Sequence, residues 1–171
     1  MADRLPGLDL GDERGAVLSP CGLYRYRLWR AWGTGPRCVF VCLNPSVADA
    51  NQDDPTLRRL VGFARGWGHG RLDVVNLFGF RATKPRDCFK APDPVGPDND
   101  LHVAEAVRGA ALVVVAWGAN GHIRGRDREV LALLERESVV PHALRILASG
   151  QPEHPLYLPG SLRPQPYARP T

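Results

Sequence analysis

The chain has 171 residues, 44% of them hydrophobic, enough for about one domain with an ample packed core. Lysine and arginine number 22 against 18 acidic residues, and the net charge of +4 suits an anionic partner without requiring one. The N-terminal stretch MADRLPGLDLGDERG lacks the apolar centre of a signal peptide, and no run approaches the ~18 apolar residues of a membrane span. The expectation is therefore a single cytoplasmic domain over residues 1–171, monomeric and without a membrane partner.

In chain order, LYRYRLWRAW (residues 23–32) alternates large apolar residues with arginines. This period of two predicts a half-exposed N-terminal strand or hairpin, followed by a turn at GTGP (33–36). CVFVCL (38–43), LDVVNL (72–77) and ALVVVAW (111–117) are Val-rich and nearly non-alternating, as strands buried on both faces of a parallel sheet are. LRILAS (144–149) is a weaker fourth strand. Asp54-Pro55 offers a cap and a first-position proline for a helix in TLRRLVGFARGW (56–67), and Asp98 offers a cap for NDLHVAEAVRGA (99–110). Residues 127–137 carry Val130, Leu131, Leu133 and Leu134 on one side of a third helix. Strands alternating with helices predict an α/β fold: three layers, α/β/α, around a mostly parallel four-stranded sheet. The two long irregular stretches, residues 81–97 and the proline-rich tail from 152, are of the kind that often carries function.

Cys38 and Cys42 fall in one predicted strand, where four residues span about 13 Å, too far for one zinc ion or one cluster. They read as reduced core residues, and neither a metal nor a cofactor is expected. Polar signals fall instead at or just beyond strand ends. Asn44-Pro45-Ser46 closes the first apolar run, Asn76 lies in the second, Trp117-Gly118-Ala119-Asn120 follows the third, and Glu153-His154-Pro155-Leu156 lies in the tail. Parallel strands would bring these to one rim. The proline holds Asn44 extended, so its amide is aimed. Each signal also has a plainer reading, with Asn44 as a turn starter, Asn76 as a satisfied buried amide and His154 as a surface side chain.

The order of LNPS after the first strand, an Asn in the second, VVVAWG in the third and a late HPL resembles the uracil-DNA glycosylase superfamily, over about residues 38–158. The resemblance implies that Asn44 positions the hydrolytic water, Asn76 reads the base and His154 faces the departing base. It also implies that the small Ser46, next to Pro45, stands where the uracil-specific branch has a tyrosine against the C5 edge. Here Cys42 replaces that family's leading glycine, and PLYLP follows His154. The expected substrate is accordingly DNA with a damaged or modified pyrimidine, including bulky 5-substituted ones, in repair or antiphage defence. Arg81, Lys84 and Arg86, with Lys90 and with Arg124, Arg126 and Arg128, would meet phosphates, and Leu156 and Tyr157 would fill the space left by a flipped base. YRYRLWR, LNPSVADANQDDPTLRR, NLFGFRAT and DPVGPDND closely resemble, in addition, a widespread bacterial family of unassigned function. Asp49, Asp53 and Asp54 keep open a Mg²⁺-dependent nucleotide or phosphoester hydrolase, and a non-catalytic DNA- or nucleotide-binding module is the third reading.

Overall fold

A computed structural model describes residues 13–169. The strands are β1 (Glu13–Leu18), β2 (Arg25–Ala31), β3 (Arg37–Cys42), β4 (Arg71–Asn76), β5 (Leu112–Val115), β6 (His142–Ala143) and β7 (Gln165–Pro166). The helices are α1 (Pro55–Gly66), α2 (Pro85–Phe89), α3 (Asn99–Val107) and α4 (Arg126–Arg136). The strands form one sheet in the order β1-β2-β4-β3-β5-β6-β7. The pairs β4-β3, β3-β5 and β5-β6 are parallel, whereas β1-β2, β2-β4 and β6-β7 are antiparallel.

The fold is thus α/β, but its sheet is seven-stranded and mixed where the sequence predicts four mostly parallel strands and an N-terminal strand or hairpin, which β2 supplies. The additions lie at the two ends. A hairpin of β1 and β2 docks onto β4, and the C-terminal tail returns as β7 against β6. The weak fourth strand begins earlier than expected and is only two residues long. Past Leu144 the chain curls into a turn in which Gly150 N–H donates to Leu147 O and Leu147 N–H to Gln151 O, both at 2.8 Å.

β3 shows why its sequence does not alternate. Cys38, Phe40 and Cys42 join one core with Leu57, Leu60 and Phe63 of α1, while Val39 and Val41 join the other with Val103 of α3 and Leu134 of α4. Both faces are covered, so every position from Cys38 to Cys42 is apolar. Burying side chains such as Val39, Phe40 and Val41 contributes about 1.5–3 kcal/mol each. These burials outweigh any single polar contact in α1, which is left to set direction. Asp54 does so, with Oδ1 accepting Leu57 N–H at 2.7 Å, while Asp98 makes no side-chain cap on α3. Among the described residues no helix is long and apolar enough to cross a membrane.

Asp54→Ala is expected to cost about 1 kcal/mol, the usual value of a lost N-cap, measured as a lower urea midpoint with unchanged slope.

Candidate functional site

β3 has β4 on one side and β5 on the other, although both follow it in sequence. The connection to β4 passes through α1 on one face, and the connection from β4 to β5 passes through α3 on the other. Strand order therefore reverses at β3, and ligands of open α/β sheets bind outside the carboxyl ends of strands at such a point. A cavity of about 500 Å³ opens at this rim, lined by Asn44, Ser46, Asn76, His154 and Leu156 and by Arg25, Cys42 and Asp54. That volume lies within the range of small-molecule sites.

Asn44 follows β3 directly. Its Nδ2 donates to Ala82 O at 2.9 Å and to Pro45 O at 3.0 Å, and Ala82 N–H donates back to Pro45 O at 3.0 Å. Both amide hydrogens are spent on backbone, which fixes the plane of the carboxamide and leaves Oδ1 as an acceptor. Pro45 lies buried behind Asn44, does not line the cavity, and serves through its carbonyl. The Asn-Pro-Ser thus ends the strand by clamping one amide to the loop after β4.

Asn76 is the last residue of β4 and only 1% exposed. Its backbone carbonyl accepts Asn99 Nδ2 at 2.9 Å, but its own Nδ2 is buried without a partner among the described residues. A buried unpaired amide costs about 1–3 kcal/mol. It is not the satisfied amide of the plainer reading.

His154 stands beyond β6, opposite the end of β5. Its Nδ1 accepts Leu156 N–H at 3.2 Å, which leaves the proton of the neutral ring on Nε2. Surrounding protein on one side lowers its pKa below the ordinary 6.5, against the weaker pull of the Asp54 carboxylate, yet the residue as a whole is exposed, as the reading of a surface side chain expects. Its segment is held from two sides. Gly118 N–H donates to Pro152 O at 2.8 Å, and Arg59 of α1 donates to Leu158 O. Behind it, Trp117 Nε1 donates to Gln151 Oε1 at 2.7 Å, and Gln151 Nε2 to Asp127 Oδ2 at 2.9 Å. Trp117 is a core residue with a structural hydrogen bond.

Of the residues predicted to meet DNA, Lys84 and Arg86 are exposed, Arg81 is half-buried and reaches Gly22 O, and Leu156 lines the cavity. Tyr157, 92% exposed, projects from the turn Pro155–Tyr157 that follows His154. Arg126 is buried instead, held by Asp100, Glu129 and Leu77 O, so it is structural. The three carboxylates are engaged separately. Asp49 accepts Asn51 N–H and Gln52 N–H, Asp53 pairs with Arg30, and Asp54 caps α1. Among the described residues no three His, Cys, Asp or Glu side chains cluster as metal ligands would. Cys38, Cys42 and Cys88 are buried free thiols with pKa values pushed up to about 12 by burial, which makes Cys42 an inert wall of the cavity.

Arg25 was hidden from sequence reasoning. The alternation around it predicts a half-exposed strand, yet β2 is internal to the sheet and both Arg25 and Arg30 are buried.

Residues 25–156 match the family described as "Protein of unknown function (DUF1643)", and the chain belongs to that family. The matched span contains every residue lining the cavity. No curated protein and no solved structure matches the chain.

Two measurements check this geometry. Nitrogen NMR should find His154 in the Nε2–H form with a midpoint below 6.5. Gly118 has φ 79° and ψ −169°, a region nearly closed to other residues, and a Cβ there would stand 3.7 Å from that of His154. Gly118→Ala should therefore cost about 1–3 kcal/mol in urea unfolding and shift the His154 resonances.

Proposed function

We propose that this DUF1643-family chain is a DNA glycosylase that hydrolyses the N-glycosidic bond of a modified or damaged pyrimidine. The observation that carries the reading is that Asn44, Asn76 and His154 line one cavity, with an acceptor, an unpaired amide and a neutral donor respectively.

Cleavage of this bond is largely dissociative, so the base leaves with the bonding electrons and water adds to the sugar cation at C1′. The reaction asks for positioning and electrostatic stabilisation more than for a strong base. Asn44 Oδ1 accepts a hydrogen bond from the water and holds it in line, and the water's proton is lost to solvent after the new C–O bond forms. His154 Nε2–H donates to the oxygen of the base as negative charge develops there. A neutral ring suits this role, because it stabilises the departing anion by a hydrogen bond without giving up its proton. Asn76 donates to and accepts from the pairing edge of the base, which ends the cost of its buried, unpaired amide.

The duplex must release its base for this to occur. Tyr157 and Leu156, next to His154, supply the apolar wedge, and Lys84, Arg86 and Arg81 supply the positive rim. Ser46 leaves room on the C5 side, so the cavity takes bases with 5-substituents. The fold of the glycosylase superfamily is part of this same reading, supported by the parallel strands β4-β3-β5-β6 and by the sequence motifs at their ends.

The test is base release from duplexes containing uracil, thymine mismatches or bulky 5-substituted pyrimidines, in EDTA, with abasic sites revealed by alkali. Wild type should act on at least one of them. Asn44→Ala and His154→Ala should stay folded and lose about 100-fold or more in single-turnover rate; wild-type rates in both would refute the assignment. The rate should hold constant from neutral to alkaline pH and fall only below 6.5, where a second proton on His154 Nδ1 breaks the Leu156 N–H hydrogen bond that orients the ring. Ser46→Tyr should reduce release of the substituted base more than of uracil.

A further inference from the structure

We propose that the inner wall of the cavity binds an anionic group, a carboxylate or phosphate carried on the exocyclic substituent of the base, with Arg25 as its counter-charge. The placement of that group on a base rests on the glycosylase reading; the anion site itself rests on Arg25.

A bulge creates the site. Along β1, Val17 pairs with Arg27 and the next residue, Leu18, pairs with Arg25, so Tyr26 is the extra residue. Arg27 reaches Asp73 on one face of the sheet, and Tyr26 stacks on His102 of α3 on that same face at 4.9 Å. Two successive side chains on one face turn Arg25 to the other, into the cavity beside Leu28. Bulges next to active sites commonly re-aim a side chain in this way.

Arg25 is 4% exposed. One terminal nitrogen donates to Ala48 O, its Nε has no partner, and no described carboxylate comes within ion-pairing distance. The other buried arginines are unlike it, since Arg30 holds Asp53 and Arg126 holds Asp100 and Glu129. An unpaired buried guanidinium is among the most expensive groups a fold can carry. Burial lowers its pKa only to about 10, so it keeps its charge at neutral pH. Asp54, on the same cavity, is the main negative charge acting on it, from beyond ion-pair distance and while capping α1, and Arg30 and Arg81 add to the positive field. Asn76, also unpartnered, lines the same cavity.

Position separates this cation from those that would meet the DNA backbone. Lys84 and Arg86 lie exposed, whereas Arg25 shares an apolar wall with Leu28, Leu57, Leu60 and Val74. A group carried into the cavity on the base is placed to meet it.

The test measures binding of free 5-carboxyuracil, 5-(phosphonomethyl)uracil and the neutral isostere 5-carbamoyluracil by calorimetry. One of the two anions should bind roughly 10- to 100-fold more tightly than the carbamoyl base, and which one does so distinguishes carboxylate from phosphate. Arg25→Met should abolish the preference and Arg25→Lys should restore part of it. Equal affinity for the carbamoyl base, or no binding of either anion, overturns the proposal, and these wild-type measurements decide even if Arg25→Met does not fold. Release from DNA containing the same bases is read separately. Anion preference without release keeps the site and removes the glycosylase, and release of uracil without anion preference does the reverse.

Discussion

Asn44 is held to the loop after β4 by hydrogen bonds in both directions, its amide to Ala82 O and Ala82 N–H to Pro45 O. This clamp joins the carboxyl ends of two adjacent parallel strands, and the cavity exists between what it joins. β3 and β4 are in turn fixed by burial on both faces. A rigid sheet edge therefore presents a rigid acceptor, which is what positioning one water requires. Were the same asparagine on an unclamped loop, its amide would rotate, and the ordering entropy would fall on the reaction instead of on folding.

The rest of the rim is arranged around polar groups that the protein does not satisfy internally. Asn76 and Arg25 are buried and incompletely paired. His154 is kept below its ordinary pKa, with its Nδ1 already accepting a hydrogen bond. The cost of the two buried groups, Asn76 and Arg25, is of the order of one to several kcal/mol, and the covered strands that flank them offset it. Such a pattern of unmet demand is what a complementary ligand relieves. The carboxylates nearby contrast with it, since Asp49, Asp53 and Asp54 all have partners.

Much of the site could be read from the sequence because a polar residue that interrupts a buried apolar run has to stand at its end. That reasoning located Asn44 and Asn76, whereas His154 was singled out through the resemblance of the late HPL to a family motif. The central strands and α1 were legible for the same reason, with Asp54 capping as its position before Pro55 implied. Arg25 was not, because alternation assumes an unbroken pleat and the extra residue Tyr26 reverses the faces. β1 and β7 were missed for a different reason: short edge strands draw their order from the partner they pair with, and ERGAVL or QP carry little pattern of their own. Arg126 looked like a solvent-facing cation because nothing local reveals Asp100, which meets it from another helix.

The central claim concerns which bond breaks, and intact mass spectrometry of a modified-pyrimidine duplex after incubation with the wild-type protein tests it most directly. The account predicts a strand of unchanged length that has lost its base and gained the elements of water, together with the free base. Shortened strands ending in phosphate, or a bound duplex of unaltered mass, would contradict it.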